Sequence, residues 1–221
     1  MNNLEKKITE GLQNYLPKAA LPTIVNWLVK YKVYLKITQK RTSKLGDYRS
    51  PFNGQGHRIS INHDLNPYSF LNVMVHELAH LVTYEKYRNQ VKPHGTEWKS
   101  NYQDLMAVFL GKQIFPPDLE NAIKAYMQNP AASSCVDAEL YKFFKKYDAP
   151  TDALPHGFKK IFVEELTQGT KFVTATGQVF VKGIKLRKRF KCQEVNTGKW
   201  YAFSPIAEVY YRPILEEKRD F

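Results

Sequence analysis

Residues 76–80 read His-Glu-Leu-Ala-His, inside a run from Val73 to Val82 with no other charged side chain. On an α-helix, positions i and i+4 lie one turn apart on one face. His76 and His80 can then turn both imidazoles to a single metal ion, with Glu77 beside them to take a proton from water. With this composition the pattern arises by chance in roughly one such chain in a hundred. The uncharged surround suits a metal helix buried inside a domain, whereas two histidines on an exposed helix would not need it. The apolar spacing and the absence of internal Gly or Pro predict a long helix over 67–88.

A hydrolytic metal needs a third protein ligand and an open position. Glu85 lies nine residues after His76, about half a turn out of phase at 3.6 residues per turn, so it faces away. His94 is better placed: it stands fourteen residues after His80 at the expected start of the next helix, and a helix-turn-helix return brings it back to the metal. His57 and His63 flank the preceding strand and are weaker candidates, since isolated histidines are usually ordinary polar residues. His156 has no assigned role. Asp104 is a candidate acceptor for a ligand imidazole N–H, against the more general reading of a solvated surface charge. Tyr84, Trp98 and Tyr102 read as core packing.

The elements around this segment are α+β. Helices are expected over 2–16 and 20–31, a strand over 33–38, a basic loop over 40–56 and a strand over 58–62. Then come the metal helix, a helix after Pro93-His94-Gly95 and a third after Pro116-Pro117. This gives a first domain over 1–130 and a linker with a short helix over 131–157. A small antiparallel β module follows over 158–221, with runs near 159–165, 171–175, 178–182, 184–193, 198–204 and 206–212. The 43% hydrophobic fraction of 221 residues fills one sizeable core or two small ones, and 14% aromatic content argues against disorder. Two cysteines, Cys135 and Cys192, exclude a disulfide scaffold or a four-cysteine zinc site and suit a reducing compartment. The polar start and the lack of an apolar stretch of ~20 residues point to a soluble, cytoplasmic protein.

The formal charge is +12, and it is unevenly spread. Residues 30–58 hold eight Lys and Arg against Asp47, residues 171–212 hold nine against Glu194 and Glu208, and residues 59–112 are near neutral. Such an excess favours a polyanionic partner, with nucleic acid preferred over a membrane surface because no basic amphipathic helix supports the latter. Within the β module, a single strand over 184–193 would align Lys185, Arg187, Arg189 and Lys191 on one face, with Ile184, Leu186, Phe190 and Cys192 on the core side. Such a row suits phosphates; it equally suits an edge strand protected from aggregation. Trp200 offers a stacking surface, while Tyr201 and Phe203 are expected in the core.

His-Glu-Leu-Ala-His followed by Pro-His-Gly-Thr-Glu-Trp resembles the SprT family of zinc metallopeptidases, whose eukaryotic relatives include the Spartan proteases that degrade proteins crosslinked to DNA. The resemblance covers roughly residues 1–112. It implies a zincin-like domain holding one zinc ion on His76, His80 and His94, with Glu77 as catalytic base, and a protein substrate bound near nucleic acid, DNA in preference to RNA. SprT-type proteins commonly end in a four-cysteine zinc ribbon, which Cys135 and Cys192 cannot form. The alternative is a nucleic-acid-binding accessory factor of transcription or repair whose zinc site is structural or rarely active.

Overall fold

The computed structural model describes residues 2–41, 44–130, 138–149 and 157–213. Cys135, His156 and most of the expected linker lie outside the described residues. The architecture is α+β, in two units, Met1–Ala149 and Pro150–Phe221, each with its own buried cluster. Among the described residues no helix is long and apolar enough to cross a membrane.

In the first unit, α1 (Asn3–Leu12) starts from a capping box: Asn2 accepts the Glu5 N–H, and the Glu5 carboxylate accepts the Asn2 N–H, both at 2.8 Å. α2 (Leu21–Lys30) carries Pro22 in its first turn, where the missing N–H costs nothing. β1 (Tyr34–Thr38), β2 (Gly46–Arg49) and β3 (Arg58–Asn62) form one sheet in the order β1-β3-β2, β1 parallel and β2 antiparallel to β3. β2 lies within the segment expected to be only a basic loop. Its sequence, Gly-Asp-Tyr-Arg, lacks the apolar alternation that marks a strand, and tertiary pairing with β3 supplies what local propensity does not. One face of the sheet carries Leu35, Ile37, Ile59 and Ile61 into the core.

Against that face lies α3 (Pro67–Tyr87), buried almost continuously from Ser69 to Thr83. A helix apolar on all sides must be covered on all sides, which is why its charges are confined to Glu77 and its last turn. Asn66 caps it, accepting from the Tyr68 and Ser69 amides at 3.1 and 3.0 Å. α4 (Thr96–Ala107) is fastened to α3 at two levels. The Tyr102 hydroxyl donates to Asn72 Oδ1 at 2.7 Å; Asn101 Nδ2 donates to Thr83 Oγ1 at 2.9 Å and Lys86 Nζ to Asn101 Oδ1 at 2.6 Å. α5 (Pro117–Met127) and α6 (Ala138–Lys145) complete the unit. α6, expected within a linker, sends Leu140 and Phe144 into the first unit's core, and the boundary falls after Ala149.

The second unit is an antiparallel sheet of β4 (Lys159–Phe162), β5 (Lys171–Val173), β6 (Val179–Lys185), β7 (Phe190–Glu194), β8 (Trp200–Phe203) and β9 (Glu208–Tyr211), in the order β4-β9-β5-β6-β7-β8. Phe172, Phe180, Phe190 and Cys192 lie in its core. The expected continuous strand over 184–193 is corrected here: β6 ends at Lys185, residues 186–189 turn, and Leu186 N–H bonds Arg189 C=O as the chain returns in β7. Lys185, Arg187, Arg189 and Lys191 therefore do not share one strand face, and Ile184 and Leu186 are exposed rather than buried. Tyr201, expected in the core, is exposed, its ring edge-on to Phe180 at 5.4 Å.

Candidate metal centre

His76 and His80 project from α3 one turn apart, and His94 arrives from the loop that opens α4. His94 holds φ at +58°, in the left-handed region; His is among the few non-glycine types enriched there, and such strain concentrates at functional sites. The turn ends with Gly95 N–H bonded to Lys92 C=O at 2.9 Å, and a Cβ on Gly95 would press on that carbonyl at 3.0 Å.

The loop thereby carries His94 back to α3. Nε2 of His76 lies 3.3 Å from Nε2 of His80 and 3.3 Å from Nε2 of His94, and the ligand atoms of all three lie within 4.8 Å of one another. A tetrahedral ion held at ~2.0–2.1 Å places neighbouring nitrogens about 3.3–3.4 Å apart, so the His76–His80 and His76–His94 separations fit a shared ion. The charge state fits as well. Burial and the neighbouring imidazoles hold His76 down at about 3, burial and His94 hold His80 at about 4, and burial lowers His94. All three rings are neutral near pH 7, with lone pairs free for a cation. These three histidines could hold a metal ion.

Ring orientation comes from packing. Asp104 is exposed, in keeping with the more general reading of a solvated surface charge; His76 Nδ1 is buried with no hydrogen-bond partner among the described residues. Trp98, fully buried, lies 4.7, 5.4 and 4.8 Å by ring centroid from His76, His80 and His94, and stacks on Tyr102 at 5.4 Å. One indole thus braces all three imidazoles. Of the weaker candidates, His63 is exposed and His57 is buried away from the cluster.

Glu77 is 6% exposed. Burial, with Asp47 nearby, pushes its carboxyl up to about 8, opposed by the Tyr48 backbone N–H, which donates to it, and by Lys44 and Arg41. Of the residues that shape Glu77's surroundings, Gly46, Asp47 and Tyr48 come from β2, the strand absent from the sequence reading. Gly46 is the close approach: a Cβ there would fall 2.5 Å from Glu77 Oε1 and 2.6 Å from Val73 Cγ1. Tyr48 lies parallel to His80, ring centroids 6.4 Å apart and planes 3° from parallel. Its hydroxyl is 2.9 Å from His57 Nδ1, and His57 Nε2 is 3.4 Å from Glu85 Oε1. A carboxylate only accepts, so the proton sits on Nε2 and Nδ1 accepts from the phenol. This Glu85–His57–Tyr48 chain ties β2 to the end of α3, and the only sequence signal for it was a lone His57.

The cluster opens on a cleft of about 580 Å³ lined by Tyr48, Phe52, His80, Tyr84, His94 and Trp98, with Arg49, Arg58, Arg88 and Lys92 around them. Three neutral imidazoles, a buried carboxyl and an open cleft suit metal-assisted hydrolysis.

Residues 23–123 match the model of the SprT-like family. Over 44 residues the chain is 43% identical to the protein SprT of Vibrio parahaemolyticus serotype O3:K6 (strain RIMD 2210633), a stretch covering 20% of this chain and 26% of that protein. No solved structure matches. The matched segment contains β1 to β3, α3 and α4, all three histidines and Glu77, so residues 23–123 form a SprT-like segment of the chain.

Proposed function

We propose that the first unit is a zinc-dependent endopeptidase acting in the cytoplasm on proteins associated with nucleic acid, DNA–protein crosslinks among them. The observation that carries this reading is the convergence of three histidine ring nitrogens within 4.8 Å beside a buried glutamate. An all-imidazole donor set suits zinc. Zinc held by His76, His80 and His94 would polarise a peptide carbonyl and acidify water. Glu77 is the proton carrier: the charge of a bound cation would favour its ionised carboxylate, which takes a proton from water and returns it to the leaving amine. Gly46 and the Tyr48 amide hold that carboxyl in place from β2. The walls formed by Trp98 and Tyr48 restrict water around the imidazoles.

Glu77→Gln is near-isosteric and removes only the proton acceptor. The variant should retain about one zinc per chain while cleavage of a protein substrate falls by about 10²-fold or more. Zinc below about half an equivalent in metal-replete wild type, or unimpaired cleavage by the variant, would sink the assignment.

A further inference from the structure

The face of the β1-β3-β2 sheet turned away from the core carries an unusual load of positive charge. The register places Tyr34, Arg58 and Arg49 side by side across the three strands, and Lys36, Ser60 and Asp47 in the row two residues along. Directly opposed residues share a face. Arg41 lies against the same surface: its guanidinium donates to Asn62 Oδ1 at 2.8 Å and Ser60 Oγ at 3.1 Å, with longer contacts to the Leu45 and Ser60 carbonyls. Every one of those acceptors is neutral, so Arg41 is held rigidly without a carboxylate in direct contact among the described residues. Arg58 reaches Gln55 through one guanidinium nitrogen, and its Nε is buried without a partner among the described residues. The single acid of the face, Asp47, is already neutralised by Lys44 at 2.7 Å and Arg49 at 3.0 Å. Lys36, Arg41 and Arg58 have no carboxylate partner among the described residues, and they line a hollow of about 270 Å³ with Tyr34 and Arg49.

We infer that this sheet face binds single-stranded nucleic acid. Fixed cations on a rigid sheet meet phosphates without costly reordering, and they position a strand without reading its sequence. The aromatic component selects the single strand over the duplex. Tyr34 is 66% exposed in the same row as Arg58 and Arg49, and Phe52, in the β2–β3 connection, is 69% exposed. Exposed rings beside cations suit unpaired bases, whose π-faces a duplex conceals. Arg49 and Arg58 also line the metal cleft, so a strand on this face ends at the cleft's rim, and a protein attached to it would be presented there. The site itself needs neither metal nor peptidase activity.

The test is fluorescence anisotropy with a labelled 20-nucleotide single-stranded DNA over a salt series, using the full chain. Duplex DNA of equal length, polyglutamate and phosphatidylserine vesicles serve as competitors. The double variant Lys36→Gln, Arg58→Gln should weaken binding about tenfold or more and reduce the slope of log K against log salt by about 1.4, two phosphate contacts' worth. Tyr34→Ala should weaken binding about tenfold with the slope unchanged. Glu77→Gln should bind as wild type, which separates this site from the peptidase reading. Ultraviolet crosslinking of wild type should place the DNA on Tyr34 or Phe52, independent of any variant's folding. Wild-type binding by the sheet variants, crosslinks confined to the second unit, tighter binding of duplex, or equal competition by vesicles or polyglutamate would overturn the assignment.

Discussion

Gly46 is where β2 comes closest to the proposed base, and it shows how one missing side chain shapes the site. Its backbone φ is ordinary, so the requirement is steric: the Glu77 carboxyl and a Val73 methyl occupy the space a Cβ would take. Val73 is short and 4% exposed on a helix packed on all sides, so it has little room to retreat. Gly46→Ala should therefore cost about 1–3 kcal/mol, the range of overpacked cores, and displace Glu77 from the Tyr48 amide. The histidines are carried by α3 and the loop before α4, so zinc content should stay unchanged while turnover falls by about tenfold, as expected when a general base is misplaced. Metal analysis beside a cleavage assay checks this; full activity in the variant would mean that Glu77 tolerates a shift and that the contact is incidental.

At the scale of elements, α3 is fixed from its first turn. Asn66 accepts two amides of α3 through Oδ1, while its Nδ2 donates to the Phe144 carbonyl at 2.9 Å and to Asp148 Oδ1 at 2.7 Å. One side chain thus caps the metal helix and ties it to α6. Asn66→Ala should cost about 2 kcal/mol, a full cap loss with a buried carbonyl left unpaired. Asn66→Asp should recover only the cap, leaving the donors missing and a carboxylate beside Asp148; chemical denaturation of the three proteins would rank them, and equal stability of Asn66→Ala and wild type would refute the coupling. The sequence reading located α3 and the return of His94 because long-range periodicity and i, i+4 spacing are local signals. It missed β2 because Gly-Asp-Tyr-Arg becomes a strand only by pairing with β3, and with β2 went Gly46, Tyr48 and the chain to Glu85. It ran β6 into β7 because Leu186 to Arg189 contain none of the usual turn residues. The signal was Gly183: a Cβ there would meet Lys191 O, and the β6–β7 register shifts between Lys182 and Lys185, the bulge that a lone glycine inside a strand announces.

Across the whole molecule, the +12 charge resolves into surfaces of different quality. In the second unit Lys182 is spent inside: it is 5% exposed, its ammonium on the Glu164 and Leu166 carbonyls and 4.1 Å from the Phe190 ring centre, and burial lowers its pKa. In the first unit, Lys36, Arg41 and Arg58 lie against one sheet face and line one hollow. The three-histidine cluster likewise belongs to one unit alone, since His76, His80 and His94 fall within Met1–Ala149 and the two buried clusters share no residue. Anything that binds the folded form stabilises it by mass action, and zinc at about 1,000 times its dissociation constant is worth about 4 kcal/mol. For a unit of this size each kcal/mol moves the midpoint by roughly 2–4 °C, so zinc should raise the first unit's melting by about 10 °C. Calorimetry should then show two transitions, of which chelation lowers one and leaves the other in place. His94→Ala should abolish most of the zinc-dependent shift without moving the apo midpoint by more than about 2 °C, because His94 is only half-buried and its loop is already strained. A shift in both transitions, or an unaltered shift in His94→Ala, would show that the cation sits elsewhere.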